Sequence, residues 1–370
     1  MRLILAVDAV VAPLTGIGRY ALELARHYSE WDDIFSSRRF LFGNVWVDDL
    51  SELLESGPPK HRSYLPHWFP ERCIQTWMRR RSIRGCVFHS PNYFLPREVD
   101  HGIVTVHDLS VFKFPETHPI ARVKQFERDF ESTLKRTTHI ITDSEATRKE
   151  VSDYFGWPLE DITAVRLGVP EGFRRYSRDE LVSPLQAYGL VPNRYSLCIS
   201  TLEPRKRIDR LLCAYANLPV AIRSRYPLVL GGGSGWLSDA LMEQIRVGES
   251  AGWLRYLGYV PEKILPALYA GARSFIYPSM YEGFGLPVLE ALASGVPTLT
   301  SNCSSLPEVA NGAAWLVETD NEEELCAGIA KILIDDGWRD AAVTRGLEVA
   351  RGSTWSACAR DTFDVYRRFL

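Results

Sequence analysis

Apolar runs of strand length alternate with segments of helical period along most of this chain. "RLILAVDAV" near the N-terminus precedes "GRYALELARHY", whose apolar positions recur at helical spacing. "GIVTVHDL" leads to a helix that includes "VKQFERDFESTLKR", and "HIITDS" leads into "EATRKEVSDYF". After residue 190 the alternation restarts. "YSLCIST" precedes "RIDRLLCAYANL", "YPLVLGGG" precedes "SDALMEQIRVGESAG", and "WLRYLGYV" precedes "EKILPALYAGA". "SFIYPS" then precedes "LPVLEALASG", and "VPTLTS" precedes "LPEVAN". Repetition of this kind predicts parallel sheets covered by helices, an α/β fold. The restart and the polar stretch "RRYSRDELVSPLQAYGLVPNR" place a boundary between 172 and 194, so two doubly wound domains are expected, 1–178 and 179–352. A length of 370 residues suits two domains. No short fixed-period repeat is present, which excludes a solenoid. In doubly wound sheets ligands sit beyond the carboxyl ends of the strands, so loops that follow strands are where chemistry is expected.

Composition narrows the function classes. Hydrophobic residues make up 46% and charged residues 24%, an ordinary globular balance. The formal net charge of -3 argues against a nucleic-acid partner. Asp8 interrupts the apolar start "MRLILAVDAVVAPL", which reads as a buried strand rather than a signal peptide. No apolar run reaches the ~18 residues of a membrane span. The seven cysteines are scattered singly with no C-x-x-C, so reduced thiols in a cytoplasmic protein are expected, not disulfides or a zinc site.

Four loops pass the positional filter. "TGIGRY" follows the first strand, and Gly16 and Gly18 let backbone approach a ligand at a helix start. With Ala21 it loosely matches G-x-G-x-x-G/A, but no acidic residue follows at the distance a dinucleotide site wants, and a plain βα turn fits equally. "TVHDLS" places His107 and Asp108 at a strand end, where a histidine can bond substrate or carry a proton. "STLEPRKRIDR" places Arg205 and Lys206 before a helix, where two cations suit a diphosphate. The alternative is a solvated basic helix face continued by Arg207 and Arg210. "YEGFGLPVLE" frees its backbone with Gly283 and Gly285, starts a helix with Pro287, and carries Glu282 in the loop and Glu290 in the helix. Both glutamates can face one ligand; a helix-start charge alone would explain Glu290 but not Glu282.

"YEGFGLPVLEALASGVP" resembles the E-x7-E signature of the retaining glycosyltransferases of family 4, which have the GT-B fold. "TGIGRYALEL", "VTVHDLSVFKFPETHP", "ITDSEATRKEV", "TLEPRKRIDRLL", "LVLGGGSGW" and "SNCSSLPEVANGAAWLV" follow in the order that family shows. The resemblance covers nearly the whole chain and is nearest to bacterial mannosyl- and rhamnosyltransferases of O-antigen and polysaccharide assembly. It implies two Rossmann-like domains facing across a cleft, an N-terminal one for the acceptor and a C-terminal one for the nucleotide sugar. Residues 353–370 would then be a last helix crossing back to the first domain. It implies that Glu282 lies by the donor hexose and Glu290 binds the ribose. The backbone of Gly283, Phe284, Gly285 and Leu286 would touch sugar and diphosphate. Lys206 matches the family's basic pair; its usual partner stands a few residues earlier, where this chain has Ser200 and Thr201, and Arg205 stands in for it. His107 matches the cleft histidine beside the transferred sugar, and Gly16 and Gly18 the glycine loop near the diphosphate.

The expected activity is retaining, metal-independent transfer of a hexose, mannose or rhamnose from a GDP-sugar, to a saccharide or lipid-linked acceptor in lipopolysaccharide biosynthesis. No cofactor is expected. Negative charge builds on the leaving phosphate, and no D-x-D triplet is present to hold a metal there, so helix N-termini with Lys206 and Arg205 would meet that charge. The resemblance favours front-face attack over a carboxylate nucleophile. A UDP-sugar donor, a sugar-nucleotide epimerase and an NAD-linked oxidoreductase are the competing readings. Residues 62–85 mix arginines, among them Arg79, Arg80 and Arg81, with aromatics such as Trp77. That mixture suits an anionic membrane surface, and equally a basic helix packing its tryptophan on the core. Peripheral attachment to the inner face of the cytoplasmic membrane follows from the first reading.

Overall fold

The computed structural model describes residues 1–55, 57, 81–233 and 239–369. Two compact units divide the chain. One comprises Met1–Leu109, Ala121–Leu167 and Trp355–Leu370; the other comprises Ser110–Ile120 and Gly168–Thr354. The units part between Leu167 and Gly168, ahead of the expected 178, and a short piece of the N-terminal half groups with the second unit.

The first unit is built on β1 (Arg2–Ala6), β2 (Ser37–Phe42), β3 (Val45–Val47), β4 (Val87–Ser90), β5 (Gly102–Val106), β6 (Thr137–Thr142) and β7 (Ile162–Ala164). They form one sheet in the order β3-β2-β1-β4-β5-β6-β7. All pairings are parallel except the β2–β3 hairpin at the edge. β5 is buried along its whole length, as a parallel strand covered on both faces must be. The helix Gly16–Ser29 follows β1; Thr15 caps it by accepting from the Gly18 N–H at 3.2 Å, and Tyr20, Leu24 and Tyr28 fill its buried face.

The last helix, Trp355–Tyr366, is fastened into this unit by polar contacts in a buried setting. The Tyr28 hydroxyl donates to the Ala359 carbonyl at 3.0 Å. His89 Nδ1 meets the Tyr366 hydroxyl at 2.6 Å and its Nε2 meets Thr105 Oγ1 at 2.8 Å, while Tyr20 reaches the same threonine at 3.1 Å. Burial lowers the His89 imidazole to about 3, so a neutral ring occupies this network.

The second unit holds β8 (Ser196–Ile199), β9 (Leu228–Gly231), β10 (Leu254–Tyr256), β11 (Ser274–Tyr277), β12 (Thr298–Ser301) and β13 (Ala314–Val317), in the order β10-β9-β8-β11-β12-β13. Every pairing in it is parallel. Leu211, Tyr215, Leu230, Ile276, Leu299 and Ile329 belong to a core that joins strands and covering helices. The polar stretch that marked the domain boundary contains a helix, Arg178–Gln186. A capping box starts it: the Glu180 N–H reaches Ser177 Oγ and the Ser177 N–H reaches Glu180 Oε2 at 2.7 Å. Both sheets reverse their strand order between their first and fourth strands, at β1/β4 and at β8/β11. Such a reversal is where a doubly wound sheet opens a crevice for ligand.

Candidate active site

The loops after β8 and β11 meet at the reversal point of the second sheet. β8 runs into the 3-10 turn Pro204–Lys206, and β11 into the loop that ends at the helix Leu286–Ala293. They are stitched together: the Met280 N–H donates to the Arg205 carbonyl at 3.0 Å, and Arg205 Nη1 donates back to the Tyr281 carbonyl. Lys206 Nζ then lies 2.5 Å from Glu282 Oε1 and 2.9 Å from the Tyr277 hydroxyl. That hydroxyl in turn donates to Glu282 Oε1 at 2.8 Å. Arg205 Nη1 stands 3.4 Å from Glu282 Oε2, and its Nη2 stands 3.6 Å from Glu203. Ser304 and Ser305 donate to the Glu282 carbonyl, and the Glu282 N–H returns a bond to Ser304 Oγ at 3.2 Å. The loop glutamate is thus held at both backbone and side chain.

Charge in this cluster is set by proximity against burial. Burial alone would raise the Glu282 carboxyl, but Lys206 and Arg205 outweigh it and bring it to about 2. Burial pulls the Lys206 ammonium below its ordinary value, against the upward pull of Glu282. Both values fall, but with opposite meaning for charge: two cations favour the charged carboxylate, whereas burial, and then Arg205 as a like-charged neighbour, disfavours the charged ammonium. The charge on Glu282 is therefore the more firmly fixed of the two. Glu282 occupies the place of an anion on Lys206 and Arg205, so this cluster has the chemistry to receive a diphosphate.

The helix Leu286–Ala293 begins from Gly285 at φ 109°, where a Cβ would stand 2.6 Å from Leu306 Cδ2. Phe284 turns its ring into the core. Among the described residues, the N–H groups of Phe284, Gly285 and Leu286 form no hydrogen bond, so they remain to bind an anion at this helix start. Glu290 is buried on the same helix, near the Tyr269 hydroxyl, which burial and then Glu290 hold well above its usual range.

In the first unit, His107, Asp143 and Pro91 follow β5, β6 and β4. His107 Nδ1 lies 2.7 Å from Asp143 Oδ2, and Nε2 lies 2.9 Å from the Pro91 carbonyl. A carbonyl only accepts, so Nε2 carries a hydrogen. Burial opposes the imidazolium, but Asp143 and the Pro91 carbonyl outweigh it and raise His107 above its ordinary value, while burial raises Asp143. Both ring nitrogens are engaged with protein in this structure, with Asp143 and the Pro91 carbonyl as partners. The ring clamps three strand ends. Gly18 is likewise required by its own chain: a Cβ there would stand 2.5 Å from the Ala9 carbonyl oxygen. Gly16 is the first residue of the same helix.

Asp143, Tyr277, Ser304 and Ser305 were not singled out from the sequence. Asp143 stands at a strand end in "TDS", the same position that marked His107. Tyr277 is hidden by its apolar strand, and the serines lie 22 and 23 positions along the chain from Glu282, to which they are bonded. Trp77, Arg79 and Arg80 lie outside the described residues; Arg81 is among them, in a helical turn. Among the described residues no helix is long and apolar enough to cross a membrane, and no group of three or more His, Cys, Asp or Glu side chains is placed to hold a metal ion.

A family model described as glycosyl transferases group 1 matches residues 189–348, the stretch that carries Arg205, Lys206, Glu282 and Glu290. The chain is 37% identical over 385 residues to O-antigen chain mannosyltransferase B of Escherichia coli, covering 99% of this chain and 100% of that one. It is 29% identical over 253 residues to the serotype-specific mannosyltransferase WbdA of Escherichia coli, which accounts for 67% of this chain and 31% of that one. Among solved structures, WaaG, a glycosyltransferase involved in lipopolysaccharide biosynthesis, superposes with a TM-score of 0.71 at 14% identity, over 98% of this chain and 99% of that one. That likeness supports the GT-B fold read from the sequence. With whole-length identity of 37% to a curated transferase and a diphosphate-suited cation cluster under the matching family model, the chain belongs to the group 1 glycosyltransferases.

Proposed function

We propose that this protein is a retaining mannosyltransferase of O-antigen assembly that moves mannose from GDP-mannose to a saccharide or lipid-linked acceptor, without a metal. The carrying observation is the buried Lys206–Glu282–Tyr277 cluster, flanked by Arg205 and by the N–H groups of Phe284, Gly285 and Leu286. The sugar and pathway follow the names of the full-length and partial relatives. As the sugar–phosphate bond breaks, charge grows on the departing diphosphate. Preorganised donors that meet that charge lower the barrier and need not reorganise during the reaction. Lys206 and the helix-start N–H groups supply such donors. Glu282, freed from Lys206 when the diphosphate takes that cation, can face the hexose. With both nitrogens of His107 engaged, the departing phosphate is the base that takes the acceptor proton, which favours front-face attack.

The test is product analysis with GDP-mannose and a mannose-terminated acceptor. The expected product has the α configuration of the donor, and its rate of formation is unchanged by EDTA. An inverted linkage refutes retention. Loss of activity in EDTA with recovery on manganese or magnesium refutes metal independence, and exclusive use of a UDP-hexose refutes the donor.

Glu290 is proposed to hold the ribose, which binds alike in ground and transition states. Glu290→Gln should therefore raise KM and weaken free GDP by roughly 10- to 100-fold, the cost of one hydrogen bond to a charged group, with a smaller change in kcat. Titration calorimetry with GDP checks this, and an unaltered affinity would remove Glu290 from the nucleotide site.

A further inference from the structure

Tyr277 ends β11, a strand paired on both sides, and its side chain is buried. Its carbonyl accepts from Thr300 Oγ1 at 2.8 Å, which ties the residue to the next strand. The phenol hydroxyl accepts from Lys206 Nζ at 2.9 Å and donates to Glu282 Oε1 at 2.8 Å. Lys206 Nζ reaches the same Oε1 at 2.5 Å. One anionic oxygen thus sits in a seat made by an ammonium and a phenol, while Oε2 lies 3.4 Å from Arg205 Nη1. Burial, and then the Glu282 charge, hold the phenol well above its ordinary value, so at neutral pH it keeps the proton it donates.

The seat and its occupant are held differently. Ser304 and Ser305 bond the backbone of Glu282, and Ser305 Oγ also donates to the Phe284 carbonyl at 2.7 Å. The loop backbone is therefore fixed, and the carboxylate can leave the seat by rotation of its own side chain. Tyr277 stays on its strand. Once a diphosphate displaces the carboxylate, the hydroxyl has lost its acceptor, because Lys206 offers only hydrogens. A buried donor left without an acceptor is costly. A phosphate oxygen in the vacated place removes that cost, since it meets the same ammonium and the same phenol, with Arg205 beside a second oxygen.

We propose that the Tyr277 hydroxyl is a direct hydrogen-bond donor to the diphosphate of the nucleotide sugar, placed to take over that anion when Glu282 gives up its seat. The role rests on the transferase reading of the cluster. As charge grows on the departing diphosphate, the phenol meets it without moving. The test is titration calorimetry of the full chain with GDP, and with UDP in parallel. The proteins compared are wild type, Glu282→Ala, and Glu282→Ala combined with Tyr277→Phe. With the carboxylate gone, the hydroxyl has nothing to support at Glu282, so phenylalanine in this background reads the phosphate bond alone. GDP should bind about 10- to 100-fold more weakly to the double variant than to Glu282→Ala. Equal affinity in the two overturns the role and leaves the hydroxyl a support for Glu282. Should Glu282→Ala not fold, Glu282→Gln replaces it. There the loss on adding Tyr277→Phe should be about 5-fold, because a neutral amide oxygen is a weaker acceptor than a phosphate, and no loss again overturns the role. If wild type binds UDP and not GDP, the same loss measured with UDP upholds the role and overturns the choice of base. Binding of neither nucleotide by wild type overturns the role together with the transferase reading.

Discussion

Lys206→Ala is expected to lower kcat by about 100-fold or more, the effect of losing one strong preorganised donor to the charge that develops on a leaving group. The ammonium is buried and fixed between the Tyr277 hydroxyl at 2.9 Å and Glu282 at 2.5 Å, so a solvent cation cannot replace it in the same place. Folding should suffer as well. Removing one member of a buried ion pair costs about 3–5 kcal/mol because the other charge is left uncompensated. Here Arg205 still faces Glu282 at 3.4 Å, so a cost at the lower end, about 3 kcal/mol, is expected. Steady-state kinetics and urea unfolding at neutral pH measure the two effects. Wild-type turnover in this variant would withdraw the phosphate role from Lys206.

Glu282→Gln should separate catalysis from nucleotide binding. Glutamine keeps the shape of the loop residue but removes the charge that would face the reacting hexose, so kcat falls, by about 100-fold on the same scale. Free GDP should bind at least as well as to wild type, because the carboxylate that occupies Lys206 and Arg205 is gone. Loss of GDP affinity in this variant would show that Glu282 belongs to the nucleotide rather than the sugar.

The same substitution has a pH signature. The folded carboxyl titrates at about 2, below the ordinary 4.5, because Lys206 and Arg205 outweigh burial. A depressed folded value means that the ionised group stabilises the fold fully above about pH 4.5. That contribution is lost as pH falls towards about 2 and amounts to about 3 kcal/mol. The stability gap between wild type and Glu282→Gln should therefore be widest at neutral pH and narrow through this acidic window. Urea unfolding of both proteins at pH 7 and pH 3 reads the gap; a gap independent of pH would mean that the Glu282 carboxyl titrates alike in the folded and unfolded protein, so that Lys206 and Arg205 do not stabilise its charge.

The alternation of apolar strands and periodic helices determined the two parallel α/β sheets, because that pattern is local: burial on both faces makes a central strand such as β5 or β9 read as a short apolar run, whatever lies next to it. The backbone character of "YEGFGLPVLE" was equally local, since glycine freedom and a first-turn proline act within one loop. β2, β3, β4, β7 and β13 were not legible, each being only partly buried. Nor was the grouping of Ser110–Ile120 with the second unit, where Phe114 packs on Tyr281 at 5.2 Å and Lys113 Nζ lies 4.8 Å from the centre of the same ring. The pairing of Lys206 with Glu282 spans 76 positions, and that of His107 with Asp143 spans 36. Residue type and loop position marked Lys206, Glu282 and His107 as candidates. Tertiary structure decided that Glu282 sits on the cations and that the His107 ring bonds Asp143 and the Pro91 carbonyl. It did so because strand order, which no local pattern encodes, chooses the loops that become neighbours, and only neighbours can exchange charge and hydrogen bonds.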